Sequence, residues 1–230
     1  MFQTKLNQKI NKQQIEYIHK TKGEAYMEYF ICCFIGYGLG CMNPAYFISL
    51  LKHKDIRNSG TGNLGTTNTF MNFGKACGCA VLLFDMFKAF AAVWLCRALF
   101  PEMELASVMA GSMAVIGHIF SFYLHFKGGK GIASLAGFIL ATDWKCFIFL
   151  LIVGCLAAVV VNYGCAISFS AAILFPIICL VRLRSMATFA ILTVCSVAIV
   201  YKHMDNIQKI RAHKEMPIRH FLGNYIFGRG

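Results

Sequence analysis

Two lysines and three glycines stand together at Lys127-Gly128-Gly129-Lys130-Gly131, between two long apolar segments. Glycine is costly inside a membrane helix, and lysine close to lipid is costlier still. A chain that keeps these five residues there is building a backbone-lined, cationic pocket at a membrane surface. Such a pocket suits a phosphate. Lysine binds phosphate as a point charge, and neighbouring glycines let an anion approach the backbone. His118 and His125 lie just upstream. Either could carry a proton, although a packed or hydrogen-bonded histidine is the commoner case.

A second polar stretch runs from Asp55 to Asn68. Gly60, Gly62 and Gly65 allow tight turns and exposed amides, as in anion nests. Thr61, Asn63, Thr66 and Asn68 add side-chain hydrogen bonds, and Arg57 adds a cation. The nucleotide-binding pattern GxxxxGK[ST] is absent. A plain polar connection is the competing account of this stretch. Just downstream, Asp85 and Lys88 fall three apart in an apolar span, on one helix face, where each compensates the other's charge. The pair serves either helix packing or the site. The third place follows the last apolar run. His203 and Asn206 are also three apart, so a continuing helix presents both on one side: a proton carrier beside a neutral amide. An ordinary interfacial helix end is the alternative there.

These residues need elements to position them. Apolar residues make up 58% of the chain and mean hydropathy is +0.61, so too little polar sequence remains to cover a soluble core. Apolar runs recur at 30–50, 78–99, 105–126, 132–142, 146–161, 165–181 and 186–201. Roughly 20 apolar residues cross a bilayer. The first three runs meet that length, and 132–142 is the weakest, open to a re-entrant or tilted path. The expected fold is therefore all-α, a polytopic membrane protein of about seven transmembrane helices with short loops carrying the site.

The net charge of +12 gathers in the connections: Lys52, Lys54, Arg57 and Lys75; Lys127 and Lys130; Lys202, Lys209, Arg211, Lys214, Arg219 and Arg229. The positive-inside rule places 52–75, 127–131 and 202–230 in the cytoplasm, and seven spans then put the N-terminus outside. The basic stretch 1–25 pulls the other way. Ile10, Ile15 and Ile18 leave room for an interfacial helix there, and no signal-peptide cleavage pattern is present. The eleven cysteines lie mostly in or beside apolar runs, where cysteine behaves as a small hydrophobe; neither a disulfide framework nor a metal site is expected.

Four stretches, in order, carry a family likeness: GCMNPAYFISLLKHKDIRNSGTGNLGTTN, the DMFK pair, GHIFSFYLHFKGGKGIAS and KHMDNIQKIRAHKE. From about residue 33 to 215 the chain resembles the bacterial acyl-phosphate-dependent glycerol-3-phosphate acyltransferases. The resemblance implies a basic extension (1–25), a seven-span acyltransferase domain (26–215) and a short tail (216–230) in the plasma membrane, with the site loops on the cytoplasmic face. It implies transfer of a fatty acyl group from acyl phosphate to the 1-hydroxyl of sn-glycerol 3-phosphate, giving lysophosphatidic acid and inorganic phosphate. The implied partners are the two substrates and membrane lipid, with no nucleic acid and no cofactor, in a monomer. His203, Asn206 and Lys127 are the catalytic candidates. Cys41, Arg57, Thr61, Asn63, Thr66, Asn68, Lys88, Gly128, Gly129 and Lys130 are the substrate-binding ones.

The chemistry agrees with that likeness. Acyl phosphate is a mixed anhydride whose leaving group departs as a stable anion, so alignment and charge stabilisation are enough. The chain departs from the family pattern at four places. Gly40-Cys41 stands for GS, Thr61-Gly62-Asn63 for SGN, Met71 for an arginine, and Asn162-Tyr163-Gly164-Cys165 for RYxS. The thiol of Cys41 is a weaker donor than a hydroxyl, and the two lost arginines are bidentate phosphate binders. A degenerate paralogue that binds lipid without catalysis is the alternative reading; a transporter would need inverted repeats or broken helices, and none is evident.

Overall fold

A computed structural model describes residues 23–227 of the 230. The described chain is helical throughout. Helix α1 covers 23–41. It is followed by α2 (Pro44–Leu51), α3 (Thr66–Leu99), α4 (Ala106–Ile119), α5 (Ile132–Thr142), α6 (Trp144–Val161), α7 (Cys165–Leu183), α8 (Met186–Lys202), α9 (Met204–Arg211) and the short α10 (Ile218–Phe221). The interfacial helix and external N-terminus expected for the basic extension fall on residues 1–22, outside the described residues. Helix α1 already includes 23–25, so the expected boundary at residue 25 lies within it.

Among the described residues, six helical stretches are long and apolar enough to cross a membrane: Gly23–Leu51, Thr66–Leu99, Ala106–Leu124, Trp144–Val161, Cys165–Leu183 and Met186–Arg211. The run 132–142, expected as the weakest of the seven, forms α5, with 11 residues. At 1.5 Å per residue it is about 16 Å long, roughly half a hydrocarbon core. Its shortness has a packing reason. Ala133, Ser134, Leu135, Gly137, Phe138, Ile139 and Ala141 are all buried, so α5 is sheathed by protein and need not match lipid thickness. Its ends still reach opposite ends of the bundle. Lys130, just before it, meets Asn206 beyond α8, and Asp143, just after it, pairs with Arg182 near the end of α7. Among the described residues the path thus passes between the two faces seven times, once through this short helix.

Local sequence starts and bends these helices. Pro44 opens α2, and Asn43 caps it by accepting from the Tyr46 amide at 2.9 Å. Asp143 caps α6 through the Lys145 and Cys146 amides, and Ser185 caps α8 through Thr188. Gly74, with φ 82°, breaks α3 and sets its first two turns apart from the apolar remainder.

The bundle is apolar outside and carries ions inside, as a bilayer solvent requires. Phe34, Leu83, Phe87, Leu156, Val160, Val181 and Val194 are exposed, while Asn43, Asn68, Asp85, Lys88, His118, His203 and Asn206 are buried. Lipid tails supply no hydrophobic drive between helices, so small residues decide the close crossings. Gly36 and Gly40 of α1 face the Ala110 and Ala114 carbonyls of α4, and a Cβ at either glycine would overlap that backbone. Gly38, between them, has open space around it. Gly36→Val is expected to destabilise the fold by about 1–3 kcal/mol through overpacking, seen as a lower thermal midpoint in detergent. Gly38→Val should leave the midpoint nearly unchanged; equal losses would show that helix propensity and not the crossing is responsible.

Candidate active site

The stretch 127–131 turns sharply from the end of α4 into α5. Its glycines do something other than the expected cradling of an anion. The Gly128 amide donates to the Ile119 carbonyl at 3.0 Å and the Gly129 amide to the His118 carbonyl at 3.1 Å, which ends α4 and pins the loop on it. A Cβ on Gly128 would overlap the His118 carbonyl, and one on Gly129 would meet His118 Nε2 and the Leu64 carbonyl. Glycine is needed here for close packing of backbone on backbone. Gly129→Ala is therefore expected to lower both specific activity and the thermal midpoint; full activity at normal stability would show that the loop can yield.

The loop delivers Lys130. Its Nζ donates to Asn206 Oδ1, and Asn206 Nδ2 donates in turn to Glu215 Oε1 at 2.6 Å. Burial pushes the Lys130 ammonium below the ordinary lysine range, with the Glu215 carboxylate pulling the other way. Its direct partner is a neutral amide, with the Glu215 carboxylate one hydrogen bond further away, so no carboxylate chelates the ammonium directly. Helix α5 begins beside it without a side-chain cap, so its first amides and the positive end of its dipole face the same side. Ser134, in that first turn, has a buried hydroxyl with no hydrogen-bond partner among the described residues.

His203 stands where α8 gives way to α9, at φ −98° and ψ 1°. The helix is interrupted there, yet the Asn206 amide still donates to the His203 carbonyl at 3.0 Å, so the pair stays together. The ring is buried against Phe169. Its Nδ1 lies 2.8 Å from the Ile199 carbonyl, an acceptor only. That bond assigns the hydrogen to Nδ1 and leaves Nε2 a free base. Lys130 lies within electrostatic reach of the ring. The stretches 127–131 and 203–206 thus meet through the side chains of Lys130 and Asn206.

The first loop closes the third side through Leu64, which packs on Gly129 and accepts from Asn43 Nδ2 at 3.3 Å. Asn68 is fully buried and spent on this loop: Nδ2 donates to the Ile56 carbonyl at 2.7 Å, and Oδ1 accepts the Thr61 amide at 2.9 Å. Thr61 is exposed, with Asn63 and Thr66 half-buried beside it. Arg57 is exposed and chelates Asp55, at 2.7 Å in the closest contact, and holds that carboxyl below the usual range. Lys127 is exposed and Cys41 buried. The Cys41 carbonyl accepts from Ser121 Oγ at 3.1 Å and Tyr123 Oη at 2.8 Å, which ties α1 to the end of α4. Lys88 is buried with Asp85 and His118.

Glu215 and Ser134 carry signals too weak to find in the sequence. Glu215 reaches Asn206 only because the chain reverses at His213, with φ 55°, after α9 ends. Ser134 closes the quoted glycine stretch but looks like any helix serine. Asn162, where the likeness calls for arginine, adopts φ 61° at the end of α6, a left-handed cap that asparagine tolerates. Its carbonyl accepts the Ile218 amide at 2.9 Å, which folds the tail back on α6.

A family model described as glycerol-3-phosphate acyltransferase matches residues 30–213. A glycerol-3-phosphate acyltransferase of Thermosipho melanesiensis is 36% identical over 205 residues, covering 89% of this chain and 98% of the relative. One from Lactiplantibacillus plantarum is 32% identical, covering 86% and 95%. Among solved structures, the crystal structure of PlsY, an integral membrane glycerol 3-phosphate acyltransferase, superposes in its glycerol 3-phosphate form. The TM-score is 0.76 at 26% identity, over 82% of this chain and 94% of that one. Its lysophosphatidic acid form gives 0.75 at 25% identity, over 84% and 98%. The family model and the near full-length likeness agree: the chain belongs to the glycerol-3-phosphate acyltransferase family.

Proposed function

We propose that Lys130, Asn206 and His203 form the reaction centre for acyl transfer from acyl phosphate to the 1-hydroxyl of sn-glycerol 3-phosphate. The protein is a multi-pass enzyme of the bacterial plasma membrane, and its products are lysophosphatidic acid and inorganic phosphate. The observation that carries the assignment is the Lys130–Asn206–Glu215 chain beside a histidine whose Nε2 is bare.

The hydroxyl oxygen attacks the acyl carbonyl carbon while His203 Nε2 takes its proton. The resulting tetrahedral oxyanion collapses, and the carbon–oxygen bond to phosphate breaks. Phosphate leaves with both bonding electrons, and the proton on His203 passes to it or to water. Lys130 and the first amides of α5 stabilise the phosphate charge as it grows. Asn206, held by Glu215, orients Lys130 without cancelling its charge. An apolar groove of about 490 Å³ between α7 and α8, lined by Ala172, Pro176, Phe189, Val197 and Met204, suits the acyl chain. The site faces the cytoplasm, because the basic loops 52–75 and 127–131 and the basic tail gather at that end. Thr61, Asn63 and Thr66 receive glycerol 3-phosphate at the open rim.

Purified protein given acyl phosphate should release phosphate only when glycerol 3-phosphate is present, with lysophosphatidic acid formed in equal amount. Release that ignores glycerol 3-phosphate, with no lysophosphatidic acid, would sink this reading and favour a lipid-binding protein without acyl transfer.

A further inference from the structure

Asp85, Lys88 and His118 are 1%, 2% and 3% exposed, and none of them takes part in the reaction above. An ammonium carries three hydrogens. Lys88 Nζ lies 2.6 Å from Asp85 Oδ1, 2.7 Å from the Met42 carbonyl and 2.8 Å from His118 Nδ1, which is itself 3.2 Å from Asp85 Oδ1; with Nδ1 unprotonated, each hydrogen of the ammonium has an acceptor. No donor is left for a substrate. A buried ion pair gains little over apolar packing, so stability alone does not account for the cluster.

Two of the three bonds lead to walls of the site. The Met42 carbonyl shares its peptide group with the Asn43 nitrogen. Asn43 donates from that nitrogen to Tyr123 Oη at 3.1 Å and from Nδ2 to the Leu64 carbonyl of the first loop. The His118 carbonyl receives the Gly129 amide, and its ring lies against Gly129 on the side where a Cβ would be. We propose that Lys88 is a positioning residue for acyl transfer: by clamping Met42 and His118, it holds the 60–65 and 127–131 loops in register without touching substrate. The proposal rests on the reaction assigned above.

Asparagine places an amide oxygen near a histidine's Nδ1, and glutamine places one near its Nε2. His118→Asn keeps an acceptor for Lys88, so kcat/KM should stay within about 3-fold of the parent. His118→Gln removes it, so KM for glycerol 3-phosphate should rise about 10-fold or more. The change in kcat should be smaller, because His203 stands at the junction of α8 and α9, outside the clamp. The paired change Asp85→Asn with Lys88→Met leaves no buried charge. It should keep the thermal midpoint near the parent value while showing the same KM rise. The reverse order, with glutamine active and asparagine inactive, overturns the proposal, because Nε2 would then be meeting substrate. Unchanged KM in both His118→Gln and the paired variant also overturns it. A parent protein that forms no lysophosphatidic acid overturns the reaction itself, an outcome distinct from losses confined to the variants.

Discussion

His203→Asn should lower kcat by about 10²–10⁴-fold, the usual contribution of a positioned general base. Asparagine keeps a donor near the Nδ1 position, so the bond to the Ile199 carbonyl can persist and the helix junction should stay folded. What disappears is the bare nitrogen that takes the hydroxyl proton. KM for glycerol 3-phosphate should change little, since the ring meets that substrate only at the reacting oxygen. Steady-state kinetics with a thermal midpoint measured in the same detergent tests this. A kcat within about 3-fold of the parent at normal stability would remove His203 from the proton transfer.

Loss of the Lys130 charge is the second large effect. Lys130→Met should reduce kcat/KM by about 10²–10³-fold, as for removal of one preorganised donor from a developing anion. Lys130→Arg should recover only part of this, because a planar guanidinium cannot reproduce the ammonium's geometry towards Asn206. The pH dependence separates charge from shape. The protonated ammonium is the binding form, and burial lowers the pKa of Lys130. The charge is therefore lost at lower pH than for an ordinary lysine, and kcat/KM should fall early on the alkaline side. In Lys130→Arg the side chain stays charged, so that alkaline fall should vanish. A fall that persists unchanged in Lys130→Arg would assign it to another group.

The glycine stretch shows how close a sequence reading comes and where it stops. Lys127 and Lys130 are equivalent in composition and three residues apart, yet one is exposed and the other is drawn to Asn206. Nothing local distinguishes them; the start of α5 turns one side chain inward. Gly128 and Gly129 were legible as residues that must stay glycine, but for a different reason from anion approach. Their amides end α4, and that pairing exists only once α4 and the loop are packed. Asn68 follows the same pattern. Its position among small polar residues marks it as special, and its hydrogen bonds to Ile56 and Thr61 make it the residue that folds the loop.

Lys88 marks the same boundary from the other side. An Asp and a Lys three apart in an apolar run announce a buried pair, because helix periodicity and the cost of lone ions in lipid are properties of the chain itself. The same local physics marked the membrane class and the basic end of the bundle. Whether the pair faced substrate or the protein depended on Met42 and His118, which are 46 and 30 residues from Lys88 in sequence. Glu215 brought back to Asn206 and the bare Nε2 of His203 are of this second kind. Each is set by which groups from distant segments meet in the folded bundle, and periodicity, charge and composition carry no record of those meetings.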